Sequence, residues 1–252
     1  MPPGRGGRGF FVAVPSAVRS GPGLSRRKLP LPQQIAHHIR GWIMSGTIKP
    51  DEFIRLDEVA EKLDVSVTPV REALLTLSGE GVVRVLPRRG FTVVRLSRDD
   101  VADIFWVQAQ LGNRLAQRAA RRLDPSGIVM LEQSVDRLEA AVRRGEVDAI
   151  AECEFEFHRT LNRAAGSPQL ASFQWKMGWY APYRLYAADQ NWAEFAIDCH
   201  RRLVTALRDG DSERVAAESR RLYEDAGRRL IAHLERSGVW DEAEAGVVRA
   251  GG

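Results

Sequence analysis

A chain of 252 residues has room for two ordinary domains, each with its own core. Its two cysteines exclude a disulfide framework and a closed cysteine zinc site, and no apolar run approaches the roughly 18 residues of a membrane span, so a cytoplasmic protein with no membrane partner is expected. The formal charge of +4 is unevenly divided: residues 1–97 carry 15 basic and 8 acidic side chains and residues 98–252 carry 22 and 25, which suggests that only the front half meets a polyanion.

Residues 1–30 are dominated by Gly and Pro, and although "RGGRGFFVAVPSAVRSG" sets basic residues before a short apolar stretch, the segment reads as a disordered tail rather than a signal peptide. From Pro32 the pattern turns helical, with Ile35, Ile39, Trp42 and Ile43 able to share one buried face; Gly46 ends that helix. "TIKPDEFIRL" reads as a connector with a turn at Pro50 and Asp51. "LDEVAEKL" is a second short helix with Val59, Ala60 and Leu63 inward, and a third spans about residues 68–78, closed by Gly79 and Gly81. "VVRVL" and "FTVVRL", joined by "PRRG", form a hairpin. Three helices followed by a two-stranded wing make a winged helix-turn-helix over residues 31–97.

On the third helix Val70, Ala73, Leu74 and Leu77 fall on one side, so Thr68, Arg71, Glu72 and Leu75 point outward. Ser66 or Thr68 can cap the helix start, whose free N–H groups can face a phosphate. Arg71 can reach a base edge, where its guanidinium matches guanine through two hydrogen bonds. Arg84, Arg88, Arg89 and Arg95 lie in a stretch without an acid, and Gly90 permits a turn and a close approach to a groove. An exposed Arg–Glu pair on an ordinary surface helix is the alternative for Arg71 alone; the basic hairpin beside it favours double-stranded DNA.

Beyond Ser97 the strand signals vanish. Residues 99–123, 125–144, 147–165, 169–187, 193–209 and 212–236 show helical spacing, so residues 98–240 are expected to be an all-α bundle of six or seven helices, and residues 241–252 a flexible tail. The protein as a whole is then mostly α. Trp175, Trp179, Tyr180, Tyr183, Arg184, Tyr186 and Trp192 enrich the later bundle in aromatics; of these, Tyr183 and Arg184 are candidates for a pocket that binds an anionic small molecule with an apolar body. Cys153 and Cys199 read as small core residues.

"VSVTPVREALLTLSGEGVVRVLPRRGFTV" resembles the winged helix of the GntR family of bacterial transcription regulators. Val67 stands where most members have an Arg that reads DNA, and Asp57 where some use Arg against the backbone. The remainder resembles the ligand-binding domain of the FadR subfamily, called FCD, through "ECEFEFHRTLNRAAGSPQL" and "CHRRLVTALRDGDSERVAAESRRLYEDA". In metal-binding members an Asp, a His four residues on and two later His surround a divalent ion near an organic acid. His158 and His200 match, and Glu154 replaces the Asp. The resemblance therefore implies a metal group of Glu154, His158 and His200 for Zn, Mn or Ni, but the last His is replaced by Leu222, with Tyr223 beside it a weak substitute. Gln108 and Gly112 occupy positions where members often carry Arg and Glu, which implies an altered effector site containing Gln108 and Tyr223.

Together these readings imply a homodimeric repressor that binds a palindromic operator and responds to a small carboxylate or related metabolite. A metal-dependent hydrolytic enzyme built on Glu154, His158 and His200 is the alternative. It lacks a nucleophile motif or Gly-rich phosphate loop and leaves the basic front unit without a purpose, so no catalytic residue is assigned.

Overall fold

Amphipathic helices cannot bury their apolar stripes alone, and the first three of this chain close on one another. The structure, a computed structural model, describes residues 30–240 apart from Trp179 and the side chain of Arg184; the two expected tails, residues 1–30 and 241–252, lie outside the described residues except for Pro30. Helix α1 (Leu31–Met44) carries Pro32 in its first turn, where a missing N–H costs nothing, and buries Ile35, Ile39 and Ile43. Trp42 is half-buried instead, with the Lys62 ammonium 4.5 Å from its ring centroid. Helices α2 (Leu56–Leu63) and α3 (Val67–Gly79) complete the head, and Val70, Ala73, Leu74 and Leu77 of α3 are fully buried as the periodicity requires.

The sheet departs from expectation. Strands β2 (Val83–Leu86) and β3 (Gly90–Val93) form the hairpin, but Phe53–Ile54, read as connector, is a short strand β1 that pairs antiparallel with β3, giving the order β1-β3-β2. A two-residue strand is specified by the edge it joins rather than by its own pattern, which is why Pro50 and the acids around it masked it. At the tip the backbone turns left-handed at Arg88 (φ 63°) and at Gly90 (φ 103°), the latter in a region where a side chain would be strained.

Behind the head, α4 (Arg98–Ala120), α5 (Pro125–Arg144), α6 (Val147–Ala164), α7 (Pro168–Gly178), α8 (Tyr183–Ala188), α9 (Gln190–Asp209) and α10 (Ser212–Arg236) make the bundle, seven helices among the described residues. A capping box opens it: the Asp100 N–H donates to the Ser97 hydroxyl (3.0 Å) and the Ser97 N–H to the Asp100 carboxylate (2.7 Å). The expected single helix over residues 169–187 is two, because the chain turns through Tyr180 to Pro182, and Pro182 has no N–H to continue the ladder. Helices α4 and α10 run antiparallel and close together. Gly112 lies under the Tyr223 ring and Gly227 under Phe105; a Cβ on Gly112 would come within 2.2 Å of a Tyr223 ring carbon.

Head and body touch at defined points. The Trp240 indole N–H donates to the Leu96 carbonyl (2.8 Å), and the His233 Nε2 lies 3.3 Å from the Ser45 carbonyl. Tyr180 packs against both the head core and the body core, with the buried Arg40 guanidinium 5.8 Å from its ring centroid. Arg40 is in turn ion-paired with Glu80, the residue at the C-cap of α3.

Candidate nucleic-acid interface and effector cavity

With its inner stripe buried, α3 turns Thr68, Arg71, Glu72 and Leu75 to solvent. Ser66 occupies the N-cap position with extended backbone, but neither it nor Thr68 makes a side-chain cap bond, contrary to the capping expectation; the first-turn N–H groups point outward beside two exposed hydroxyls. Val67 is 38% exposed at this end, an apolar side chain on an otherwise polar face. In the wing Arg84, Arg88 and Arg89 are exposed, and Arg88 sits at the tip with Gly90 closing the turn. Arg95 behaves differently: its guanidinium donates to the Asp51 carboxylate (2.8 and 3.1 Å), so this cation is neutralised from across the sheet, by an acid that the count along the local stretch had left out. Ser66, Thr68, Arg71, Arg88 and Arg89 are thus all on the exposed surface of one small unit, while Asp57 is exposed in the first turn of α2.

The second site is a cavity inside the body with about 640 Å³ of non-atom space, part of it open to solvent at its mouth. Gln108, Glu154, His158, Tyr183, Leu222 and Tyr223 line it, which gathers sequence candidates from four helices. The Arg184 side chain lies outside the described residues. Trp175 packs instead on Phe155, ring centroids 4.6 Å apart. Sequence reasoning missed Phe105, Phe195 and Arg229 in the wall; Phe105 precedes Gln108 by three residues on the same helix face, a signal that could have found it.

At one corner of this space Glu154 and His158, one turn apart on α6, meet His200 of α9. The His200 Nε2–H donates to the Glu154 carboxylate (3.0 Å), His158 Nε2 lies 3.9 Å from the same oxygen, and His200 stacks on Phe157 with ring centroids 3.9 Å apart. Burial pushes the Glu154 carboxyl up, but the two histidines and the His200 hydrogen bond outweigh it and leave it below the usual carboxylate range. Burial, with His200 beside it, lowers His158 to about 4, so its imidazole is neutral near pH 7. One oxygen and two nitrogen donors, all within 4.8 Å of one another, suit a first-row divalent cation. Glu154 Oε1 is buried without a hydrogen-bond partner, as a carboxylate with an unfilled ligand position would be. Glu154, His158 and His200 would therefore suit such a cation as three protein ligands. Leu222 supplies no donor. The Tyr223 hydroxyl lies 3.4 Å from His158 Nδ1, the ring nitrogen facing away from Glu154, so it supports His158 from behind rather than replacing the absent histidine. Cys199 is buried and Cys153 half-buried, as small core residues.

Comparison with known proteins divides the chain at the same boundary. The model described as "Bacterial regulatory proteins, gntR family" matches residues 31–93, and the model of the FCD domain matches residues 103–225. The HTH-type transcriptional repressor RspR of Escherichia coli is 30% identical over 136 residues, covering 54% of this chain and 60% of that protein. The chain thus spans about three fifths of the length of this relative. An uncharacterized HTH-type transcriptional regulator of Agrobacterium vitis, from the TAR-I ttuE-ttuC' intergenic region, is 31% identical over 128 residues, covering 50% of this chain and 75% of that protein. Among solved structures, E. coli McbR/YncC superposes with a TM-score of 0.62 at 24% identity over 83% of this chain and 99% of that one, a likeness of fold.

Proposed function

The chain belongs to the GntR family of bacterial regulatory proteins and carries an FCD domain behind its winged helix, and on that premise we propose that it is a transcriptional regulator whose DNA affinity is set by a small molecule in the body cavity. The observation that carries the reading is the outer face of α3: Arg71 and Thr68 are exposed on a helix whose other side is locked into the head core, next to a hairpin tipped by Arg88. Such a helix enters the major groove, Arg71 reads a base edge, and Ser66, Thr68, Arg88, Arg89 and the Gly90 backbone contact the phosphates and the flanking groove. Val67 shifts the base preference of this chain away from one read by two arginines.

The chain acts as a homodimer, because two heads related by a two-fold axis read a palindrome. Trp106, Met130 and Phe173, all more than half exposed on the body, supply apolar surface for a second copy. The role is that of a repressor, as in RspR. The effector is a carboxylate or a related metabolite, and Glu154, His158 and His200 would hold a divalent ion that supplies positive charge at the closed end of the cavity. These groups serve ligand recognition rather than hydrolysis.

Tyr180 is the element that joins ligand to DNA. Its neighbours Ala181 and Tyr183 line the cavity, while its own ring packs on the head above Arg40, whose ion pair holds the end of α3. A ligand that moves the α7–α8 turn changes this contact and so the pose of the head.

Selection from a randomised DNA pool with the full chain tests the proposal. It should enrich a short palindrome with two equivalent half-sites; a pool that stays random after repeated rounds contradicts it.

A further inference from the structure

A side chain with no donor or acceptor can still tell bases apart, because the major groove shows one apolar group among its polar edges, the C5-methyl of thymine. Residues four apart on a helix follow one another in a slowly turning row. On α3 such a row is Val67, Arg71 and Leu75, a cation between two apolar side chains. All three are exposed, Val67 at 38% and Leu75 at 53%, while Val70, Ala73, Leu74 and Leu77 lock the other side of the helix into the head core.

Nothing inside the head accounts for Val67. Val65, two residues earlier, packs against the head core, whereas Val67 turns to the surface between the exposed Ser66 and Thr68. A β-branched residue in the first turn neither caps the helix nor favours it. Val67 and Arg71 are one turn apart, about 6 Å along the axis, and stacked base pairs are about 3.4 Å apart, so an arginine gripping guanine sets Val67 over a pair roughly one or two steps away. There the donors and acceptors of a base edge would lose water against the valine methyls and gain no partner. A thymine methyl is buried against them without breaking a hydrogen bond. Leu75 stands one turn beyond Arg71, away from the N-terminal end by which a recognition helix touches base edges, so the contact falls to Val67.

We propose that Val67 is a specificity-determining contact to the C5-methyl group of a thymine that lies roughly one or two base pairs from the guanine read by Arg71. The proposal rests on the reading of α3 as the helix that enters the major groove and names the chemical group that a second position of each half-site carries. Because the contact is to the methyl group rather than to the hydrogen-bonding edge, 5-methylcytosine supplies it too.

The palindrome that the full chain selects from the randomised pool provides the probe. Each thymine of one half-site is replaced in turn by uracil, which removes the methyl and keeps every hydrogen bond of the pair, and binding is followed by fluorescence anisotropy. One replacement, close to the guanine whose preference Arg71→Ala loses, should weaken wild-type binding about fourfold, the worth of one buried methyl group. The exposed substitution Val67→Ala should bind the thymine and uracil duplexes alike. Cytosine placed at that position should bind wild type about fourfold tighter once it is 5-methylated. Uracil tolerated at every position overturns the proposal, as does a selected half-site with no thymine beside that guanine. A uracil penalty that persists in Val67→Ala also overturns it, by assigning the methyl to another side chain. A pool that stays random defeats the regulator reading itself, whereas a selected palindrome indifferent to uracil defeats the methyl contact alone.

Discussion

Gly112 shows how one atom shapes the effector cavity. Any side chain there would strike the Tyr223 ring, whose hydroxyl reaches His158, so the Gly112→Ala variant should lose about 1 to 3 kcal/mol of stability, read as a lowered urea midpoint, and should bind Zn²⁺ more weakly. Unchanged stability would mean that the ring moves freely. In the head, His37 carries a different liability. Burial, with His38 and Arg40 nearby, lowers it from 6.5 to about 4. As the pH falls below 6.5 the unfolded chain takes up a proton here that the folded protein refuses until about pH 4, so stability drops through that window and is flat above it. The loss is at most about 1.4 kcal/mol per pH unit, and urea midpoints of a His37→Gln variant between about pH 7 and about pH 5 should show a shallower decline than wild type. The cluster of Glu154, His158 and His200 was legible through the family resemblance carried by "ECEFEFHRTL" and the later "CHRRL"; the helical repeat by itself sets only Glu154 and His158 one turn apart. That Tyr223 stands behind His158 rather than beside it was not, since Leu222 and Tyr223 are adjacent in sequence and only the packing of α10 on α4 decides which way each faces.

The wing and the proposed recognition helix should contribute differently to DNA binding, and the difference is measurable. On the proposed reading Arg88, at the left-handed tip of the hairpin, contacts backbone phosphate, so the Arg88→Ala variant should weaken binding to all DNA sequences and reduce the slope of log affinity against log salt by about 1. A loss confined to one sequence would assign Arg88 to base reading instead. Helices α1 to α3 were readable because their apolar residues repeat every three or four positions, and β2 and β3 because β-branched runs flank a Pro–Gly turn. Strand β1 was not, being two residues long and held by β3. The break between α7 and α8 escaped for the opposite reason: aromatic residues on both sides of Pro182 continue a helical spacing across it, and the turn is set by Tyr180 packing on the head.

Taken as a molecule, the protein joins its body to the head through contacts at Tyr180, His233 and Trp240, and no periodicity in the sequence announces them because they join residues far apart in the chain. Arg40 of α1 is buried, paired with Glu80 and close to the Tyr180 ring. Tyr180→Ala should therefore leave Zn²⁺ binding near wild type while raising amide exchange at the end of α3, around residues 77–82. Protection unchanged there would remove Tyr180 from the route. Nearest to the central claim is a titration of the pool-selected DNA and a scrambled control with wild-type protein and Arg71→Ala, followed by fluorescence anisotropy. The expected result is a loss of about 1 to 3 kcal/mol on the selected sequence with little change on the control, and an unaltered melting curve for the exposed substitution. Discrimination as strong in the variant as in the wild type would contradict the assignment of α3 as the reader of DNA.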